Sequence, residues 1–427
     1  MRLAIEIARR LSLGNNAGSK KSLAVKVATV SVAISIAVML LTLAVTSGFQ
    51  SAIKNKIAGF EAQITLTPLE SSEYGYRMST EGIELNEAIN SIIRQVAPEA
   101  EVSVALRFEA MLKTPDNFSA IQLRSYAPDH DTSFLQSMIT SGNPEAVDSL
   151  FMADGDPMLI LSEEVASELQ LKPGDKVNTV FFDGNKIKVR NPQVAATYNS
   201  HFSTYDRNIA YASKSMLDGI ALTSLNEGNA IELRNIDFNS LTDKTLELQS
   251  AFDQYYLQQR SLGNEETELL SVSSIIETAA HYFNWLALLD TNVVVMIVLM
   301  ALITLFTLVA TLFIIILERT RLIGLLKTLG SPNRLIRHVF IFLIGRIALI
   351  GLVVGNIITI GIVAVQSATH IIPLNPESYF LNYVPMNLSV VTLIIVNAAA
   401  IVVILAAMLL PSLIIGRISP AQTVRYE

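Results

Sequence analysis

The 427-residue chain has no cysteine, which excludes both a disulfide framework and a thiolate metal site. Charge is scarce too: 16% of residues are charged against 51% hydrophobic, and the mean hydropathy is +0.44. That balance is too apolar for an ordinary soluble chain of this length. The five histidines, His130, His201, His281, His338 and His370, are scattered, and none sits at a metal-ligand spacing from another. The run Gly14-Asn15-Asn16-Ala17-Gly18-Ser19-Lys20-Lys21-Ser22 has the flavour of a phosphate-binding loop but fails its spacing, and no strand precedes it, so it reads as a basic turn. Acidic pairs such as Glu163/Glu164 and Glu265/Glu266 read as solvated surface. The sequence therefore carries no visible means of hydrolysing ATP and no enzyme constellation.

What it does carry is four long apolar runs, Val25 to Val45, Val293 to Leu317, Val339 to Val365 and Leu388 to Ile415. A bilayer core about 30 Å thick needs roughly 20 apolar residues in a helix. Backbone amides in lipid must be satisfied within the segment, which selects helices over single strands. The first run is longer than the 7–15-residue core of a cleaved signal, so it reads as a retained helix. The fold class expected is an α-helical membrane protein with four transmembrane helices and a large α+β extracytoplasmic domain between helices one and two.

Basic residues set the sidedness. Arg2, Arg9, Arg10, Lys20, Lys21 and Lys26 precede helix one, and Arg319, Arg321, Lys327, Arg334 and Arg337 lie between helices two and three. Arg417 and Arg425 follow helix four, whereas the loop from Gln366 to Asn387 holds no lysine or arginine. The positive-inside bias then puts both termini in the cytoplasm. The expected layout is a basic cytoplasmic segment 1–24, helix one 25–49, a periplasmic domain with stalks 50–285, and helix two 286–317. A cytoplasmic coupling segment 318–338, helix three 339–365, an outer loop 366–387, helix four 388–415 and a tail 416–427 complete it. The stretch Gln50–Trp285 carries 17 basic against 33 acidic residues.

Within that stretch, alternating apolar and polar residues predict strands over Glu61–Thr67, Glu101–Arg107, Phe118–Arg124, Lys176–Phe182 and Lys186–Arg190. Phe182-Asp183-Gly184-Asn185 reads as a hairpin turn. Leu85–Val96, Ser162–Leu169 and Leu241–Tyr256 read as helices, the second capped at Ser162. Gly, Pro, Asn and Asp cluster over Thr140–Pro157, which suggests a subdomain break. Gln50–Phe60 and Ser271–Leu289 keep helical spacing and read as stalks extending helices one and two.

The most informative short stretch runs from Ile316 to Arg337. Leu322, Leu325, Leu326 and Leu329 share one helical face, with Arg321 and Lys327 off it, and Gly330-Ser331-Pro332 ends the helix. Such a helix either lies on anionic lipid or inserts into a groove on a cytoplasmic partner, and physics alone leaves both open. Polar residues inside the spans are few. Arg346, near Arg337, reads as reaching the inner face, and Asn356 accompanies it in helix three. Thr304, Thr307 and Thr311, like Thr42 and Thr46, are spaced for close helix contact. No chain of ionisable groups crosses the membrane, which argues against a proton- or ion-driven carrier.

Taken together these residues resemble the FtsX-like ABC transporter permeases, and among them the lipoprotein-releasing, Lol-type branch. Ser47-Gly48-Phe49-Gln50 is similar to the family's NGFQ junction, Leu317 to Gly330 to its coupling helix, and Pro373 to Pro385 to its outer loop. Ser419 to Glu427 is similar to its closing PxxALRYE motif, and Leu169 to Val177 and Thr204-Tyr205-Asp206 also fit. The resemblance implies no catalytic residue, no metal and no cofactor in this chain, with ATP and Mg bound by a cytoplasmic ABC ATPase dimer. It implies a second permease copy or paralogue, a lipoprotein substrate, a periplasmic lipoprotein carrier, membrane lipid as surroundings, and no nucleic acid. The expected ATPase-coupling residues are Glu318, Arg319, Arg321, Gly324, Leu325, Lys327, Leu329 and Gly330. The expected acyl-chain residues, taken from position and helix face, are Met39, Leu43, Phe49, Val294, Ile297 and Leu305. The family's carrier-docking hook has no clear match; Ala195 to Tyr205 lies nearby without its apolar character. Two rival readings stand beside this one: a permease of the same superfamily driving an efflux or cell-wall partner, and a receptor-like membrane sensor.

Overall fold

The computed structural model describes residues 21–412 except 73–74, 79–81, 129, 153–155, 184–185, 218–226, 265–266, 319–323 and 326. The chain forms two compact units. A helical unit takes the chain up to Ala52, Trp285–Leu374 and the chain from Tyr383 on; a sheet unit takes Ile53–Asn284 and Asn375–Asn382. The helix α1 (Lys21–Phe60) is continuous over 40 residues and crosses the boundary between them.

The sheet unit is built from β1 (Ile64–Ser72), β2 (Gly75–Met78), β3 (Ile83–Glu84), β4 (Glu101–Lys113), β5 (Phe118–Tyr126), β6 (Ile139–Gly142) and β7 (Met158–Ser162). After these come β8 (Asn178–Asp183), β9 (Lys186–Arg190), β10 (Gln193–Tyr198), β11 (Ile209–Ala212), β12 (Glu227–Gly228), β13 (Ala230–Arg234) and β14 (Leu269–Ser274). Twelve of them make one mixed sheet in the order β14-β1-β13-β4-β5-β11-β7-β10-β6, with β2 on β1 and the β8–β9 hairpin leaving from β4. The main helices of this unit are α2 (Glu87–Val96), α3 (Glu163–Glu168) and α4 (Leu241–Ser261). Asn86 accepts from the Ile89 amide to start α2, and Ser162 accepts from the Val165 amide to start α3. One apolar cluster, including Leu106, Leu123, Leu161, Val165, Phe181 and Val194, fills the face under β4, β5, β7 and β10.

Two expectations need correction. Ser271–Ser274 is not helical: it belongs to β14 and pairs antiparallel with β1, Ile64 opposite Ser274. Its serines alternate with buried Leu270 and Val272, a period of two that suits a half-buried strand. The helical stalk begins only at Ile275, with Glu277 and Ser274 forming a capping box. Nor does the Thr140–Pro157 stretch divide the unit. Its β6 pairs with β10, so the turn residues connect elements of one sheet.

The end of α1 is held by buried charge. The last carbonyls of a helix lack intrahelical donors and carry its negative dipole end, so cations are favoured there. Arg234 Nη1 donates to Ala58 O at 2.6 Å, and Arg124 Nη1 donates to Phe60 O. Arg124 Nη2 pairs with Glu61 at 2.7 Å. Glu232, whose side chain is fully buried, takes Arg107 at 2.6 Å and Arg234 at 2.9 Å. Burial alone would raise the Glu232 pKa; the guanidinium groups of Arg107, Arg234 and Arg124 outweigh it and hold the carboxyl at about 2.

The helical unit packs α1 with α5 (Ala280–Glu318), α6 (Asn333–Thr369) and α7 (Val390–Ser412). Val32, Ile36 and Leu40 of α1 meet Leu308, Leu312 and Ile316 of α5, Ile344 and Ile347 of α6, and Val396 and Ala400 of α7 in one core. Two glycines let α6 close on α1. A β-carbon on Gly351 would lie 2.8 Å from Val32 and one on Gly355 2.7 Å from Ala33 O. Small residues serve such close approaches between membrane helices. Asn356 and Asn397 exchange two side-chain hydrogen bonds of 2.8 and 2.9 Å between α6 and α7. Thr304 and Thr311 are buried as their spacing implies, while Thr307 is half-buried and bonds Ile303 O. By length and composition, α1 from Val25, α5 and α6 each suffice to cross a membrane. The apolar stretch described in α7, Val390–Ala406, is shorter, so among the described residues three helices meet the test and the fourth expected span is not confirmed.

Two outcomes follow from this packing. Glu232 has a folded-state pKa below its ordinary 4.5, so its stabilisation is full above pH 4.5 and is lost as pH falls through about 2. The full chain in detergent should lose melting temperature over that window more steeply than Glu232→Gln; parallel profiles would contradict the account. Gly355→Val should cost about 1–3 kcal/mol by overpacking against α1, read as a lower melting temperature, whereas Gly361→Val, where nothing lies within 4 Å, should not.

Candidate functional site

The expected coupling residues fall at one end of the helical unit. Arg319 and Arg321 lie outside the described residues, as do the Gly14–Lys20 loop and the closing Ser419–Glu427 motif. Glu318 is the exposed last residue of α5. Gly324 is buried; Leu325 and Leu329 are 58% and 74% exposed, one helical turn apart. The Leu329 amide bonds Leu325 O at 3.1 Å and the Gly330 amide bonds Lys327 O at 3.0 Å. Gly330, at φ 80°, then turns the chain out of the helix in the left-handed region that glycine tolerates. The geometry brings two leucines onto one open face beside half-buried Lys327, which is what a partner groove can grip.

The Ser47–Gln50 junction is a contact site residue by residue. Ser47 Oγ donates to Asn387 O at 2.6 Å, and the Asn387 amide donates to Ala44 O. A β-carbon on Gly48 would sit 2.5 Å from Pro385 O, so glycine is required there. Phe49 meets Trp285 edge-to-face at 5.7 Å, and Gln50 Nε2 donates to Leu286 O and to Asp290 Oδ1 at 2.8 Å. The motif therefore bolts α1 to α5 and to the end of the α6–α7 connection. Of the expected acyl-chain residues, Met39 is buried in the helical core, and Leu43 and Leu305 pack against it. Ile297 is half-buried and Val294 is 60% exposed, one turn from exposed Val298.

In the sheet unit, Ala195–Tyr205 is no free hook. Ala196, Tyr198 and Phe202 are buried, and Tyr198 Oη donates to Ile209 O at 2.8 Å. Asp206 ties the segment down, accepting from Ser200 Oγ at 2.6 Å and from the Phe202 amide. Burial pushes its carboxyl pKa up, and those hydrogen bonds oppose the rise. Exposed apolar side chains of this unit include Phe182, Ile187 and Val189 in the β8–β9 hairpin. The sequence signal was Phe182, Ile187 and Val189 in a hairpin whose described strand pairing to the rest of the sheet is through β8 and β4.

A polar cavity of about 580 Å³ opens in the same unit, lined by Arg94, Ser103, Tyr126, His130, Asp131 and Arg234 among others. Ser103 Oγ has no hydrogen-bond partner, so no base activates it as a nucleophile. Among the described residues no three His, Asp or Glu side chains gather to hold a metal.

Residues 27–238 match the MacB-like periplasmic core domain, and residues 294–420 match the FtsX-like permease C-terminal domain. The chain is 22% identical to the lipoprotein-releasing system transmembrane protein LolC of Xylella fastidiosa (strain Temecula1), over 93% of this chain and 92% of that protein. It is also 22% identical to the LolE protein of the same name series from Haemophilus influenzae, over 97% of both. The extracellular domain of the ABC-type transporter YknZ from Gram-positive bacteria aligns with 49% of this chain and 99% of that domain, at 14% identity and a TM-score of 0.29, too low to carry an argument. With both domains present in this order and near full-length similarity to LolC and LolE, this chain is an FtsX-like permease of the ABC transporter superfamily.

Proposed function

We propose that this permease is the membrane subunit of a lipoprotein-releasing ABC transporter, a lever that turns ATP-driven motion in a partner into extraction of a lipoprotein from the outer leaflet of the inner membrane. The observation that carries the reading is the length of α1 and α5, 40 and 39 residues. At 1.5 Å per residue each is about 60 Å long, twice the roughly 30 Å hydrocarbon core. An uninterrupted helix of that length carries a displacement from a membrane span into the domain beyond it.

In this account both termini are cytoplasmic and a fourth span is formed by α7. The cytoplasmic ABC ATPase dimer supplies all ATP and Mg binding and hydrolysis, and it grips the exposed Leu325–Leu329 face. A second permease, identical or paralogous, completes the complex. Triacylated lipoprotein enters from the lipid between α1 and α5 of opposed copies, where Val294 and Ile297 form the open face and Leu43, Leu305, Met39 and Phe49 its edge and backing. The exposed β8–β9 hairpin is the surface assigned to the periplasmic carrier. Closing of the ATPases moves the stalks and the sheet unit, and the lipoprotein leaves outward without crossing the bilayer.

The test replaces Leu325 and Leu329 singly with Glu. Both side chains are exposed, so the melting temperature of the chain should not change. Loss of an interface anchor should cost about tenfold or more in ATPase binding, with ATP-driven release of a triacylated lipoprotein from proteoliposomes falling in step. Wild-type binding and release by both variants would overturn the reading.

A further inference from the structure

The connection between α6 and α7 is not a free loop. Its base belongs to the helical unit: Gln366 Nε2 donates to Val384 O at 3.0 Å and Gln366 Oε1 accepts from the Ile372 amide at 3.1 Å. Pro373 bridges Tyr383, whose ring lies 3.8 Å from that of His370. Its tip, Asn375–Asn382, packs within the sheet unit. There a single helical turn, Pro376–Tyr379, starts at the Asn375 side chain and ends at Phe380, whose amide bonds Pro376 O at 2.8 Å.

Phe380 has φ 61°, the left-handed conformation in which glycine or asparagine is normal and an aromatic residue is rare. A bulky residue persists there only where its surroundings hold it. They do. The ring stacks on fully buried Phe202 at 4.2 Å and meets Tyr282 edge-on at 6.4 Å. The carbonyl of Phe380 accepts from Lys56 Nζ at 2.5 Å. Phe202 contacts Tyr205 at 5.3 Å, and Tyr205 lies flat on Phe60 at 4.7 Å, where the arginines clamp the end of α1. Tyr282, from the first turn of α5, donates to Thr204 Oγ1 at 2.8 Å. Lys56 and Phe60 come from one stalk, Tyr282 from the other, and Phe380 from the α6–α7 connection, whose later residues Pro385 and Asn387 already meet Gly48 and Ser47 of α1.

We propose that Phe380 is a plug that joins the α6–α7 connection to both stalks, making this loop a third mechanical link through which the helical unit drives the sheet unit. Phe380 is a positioning residue: it touches no substrate, and it acts by making the stalks and the loop move together. The inference rests on the lever reading above and adds to it the part played by α6 and α7, which that reading leaves passive.

The test uses the full chain reconstituted with its ATPase and second permease in proteoliposomes, with a triacylated lipoprotein as cargo. Hydrogen exchange is read over residues 376–382, and ATPase rate and ATP-driven release are read separately. Phe380 is only half-buried, so Phe380→Ala should keep its melting temperature. It should exchange about tenfold faster at the loop amides. It should also hydrolyse ATP within about twofold of wild type while release falls about tenfold, and Phe380→Tyr should restore both loop protection and release. Lys56→Met, which removes one hydrogen bond and no ring, should lie between. Unchanged loop exchange or unchanged release in Phe380→Ala overturns the proposal while leaving the lever reading intact. So does a fall of ATPase and melting temperature together in both Phe380→Ala and Lys56→Met, since the socket would then only hold the fold. Absence of ATP-driven release by the wild-type complex sinks the lever reading, and this proposal with it.

Discussion

Arg124 and Arg234 close the end of α1, and the rest of the molecule depends on that closure. A helix of 40 residues transmits displacement only if its far end is held, and an α-helix ends in carbonyls with no partners. Here those carbonyls accept from two guanidinium groups rooted in the sheet, on β5 and β13. The guanidiniums are in turn neutralised by Glu61 and by fully buried Glu232. Removing one member of such a cluster strands a buried charge at a cost of about 3–5 kcal/mol, so the joint behaves as a unit rather than as separate contacts. A hydrophobic joint of the same size would bury the same area but would let the helix slide or rotate; directional hydrogen bonds to named carbonyls fix both.

The helical unit solves the matching problem at its own end with close contact instead of charge. Gly351 and Gly355 bring α6 against α1, Gly48 brings α1 against Pro385, and paired Asn356 and Asn397 register α6 with α7. In lipid there is no hydrophobic gain from pressing one apolar helix on another, so small residues and reciprocal amide bonds do the specifying. The two units are thus held by opposite physics, ionic and aromatic in one, steric in the other, and α1 carries both signatures along its length. The exposed pair Leu325 and Leu329 is the one place among the expected coupling residues where apolar side chains stand open to a partner.

Much of this was legible in residue order. Periodicity placed β5, β8, β9, α2 and α4 within a few residues, and the Ser162 cap was read correctly. The stop at Gly330 followed from turn chemistry. Ser271–Ser274 was misread because serine and valine suit either a strand or a polar helix turn, and only the long-range partner β1 decides. The Thr140–Pro157 cluster signalled turns truthfully, but a turn does not say whether the sheet continues beyond it. The Arg–Glu cluster was invisible for the same reason: Glu61, Arg107, Arg124, Glu232 and Arg234 are spread over 174 positions of sequence and meet only once the strands pair. Phe380 gave no signal at all, since nothing in an aromatic residue announces a left-handed backbone.

The measurement that bears most directly on the central claim uses the absence of cysteine. With a spin label at Leu257→Cys, exposed on α4 of the sheet unit, and one at the matching position of the second permease, the separation between the two copies in the reconstituted complex is read without background labelling from this chain. If the chain is a lever, that separation changes when ATP binds the partner ATPase and returns on hydrolysis, and it stays fixed when the ATPase is omitted. A separation that ignores ATP, or one that changes just as much with no ATPase present, would contradict the account.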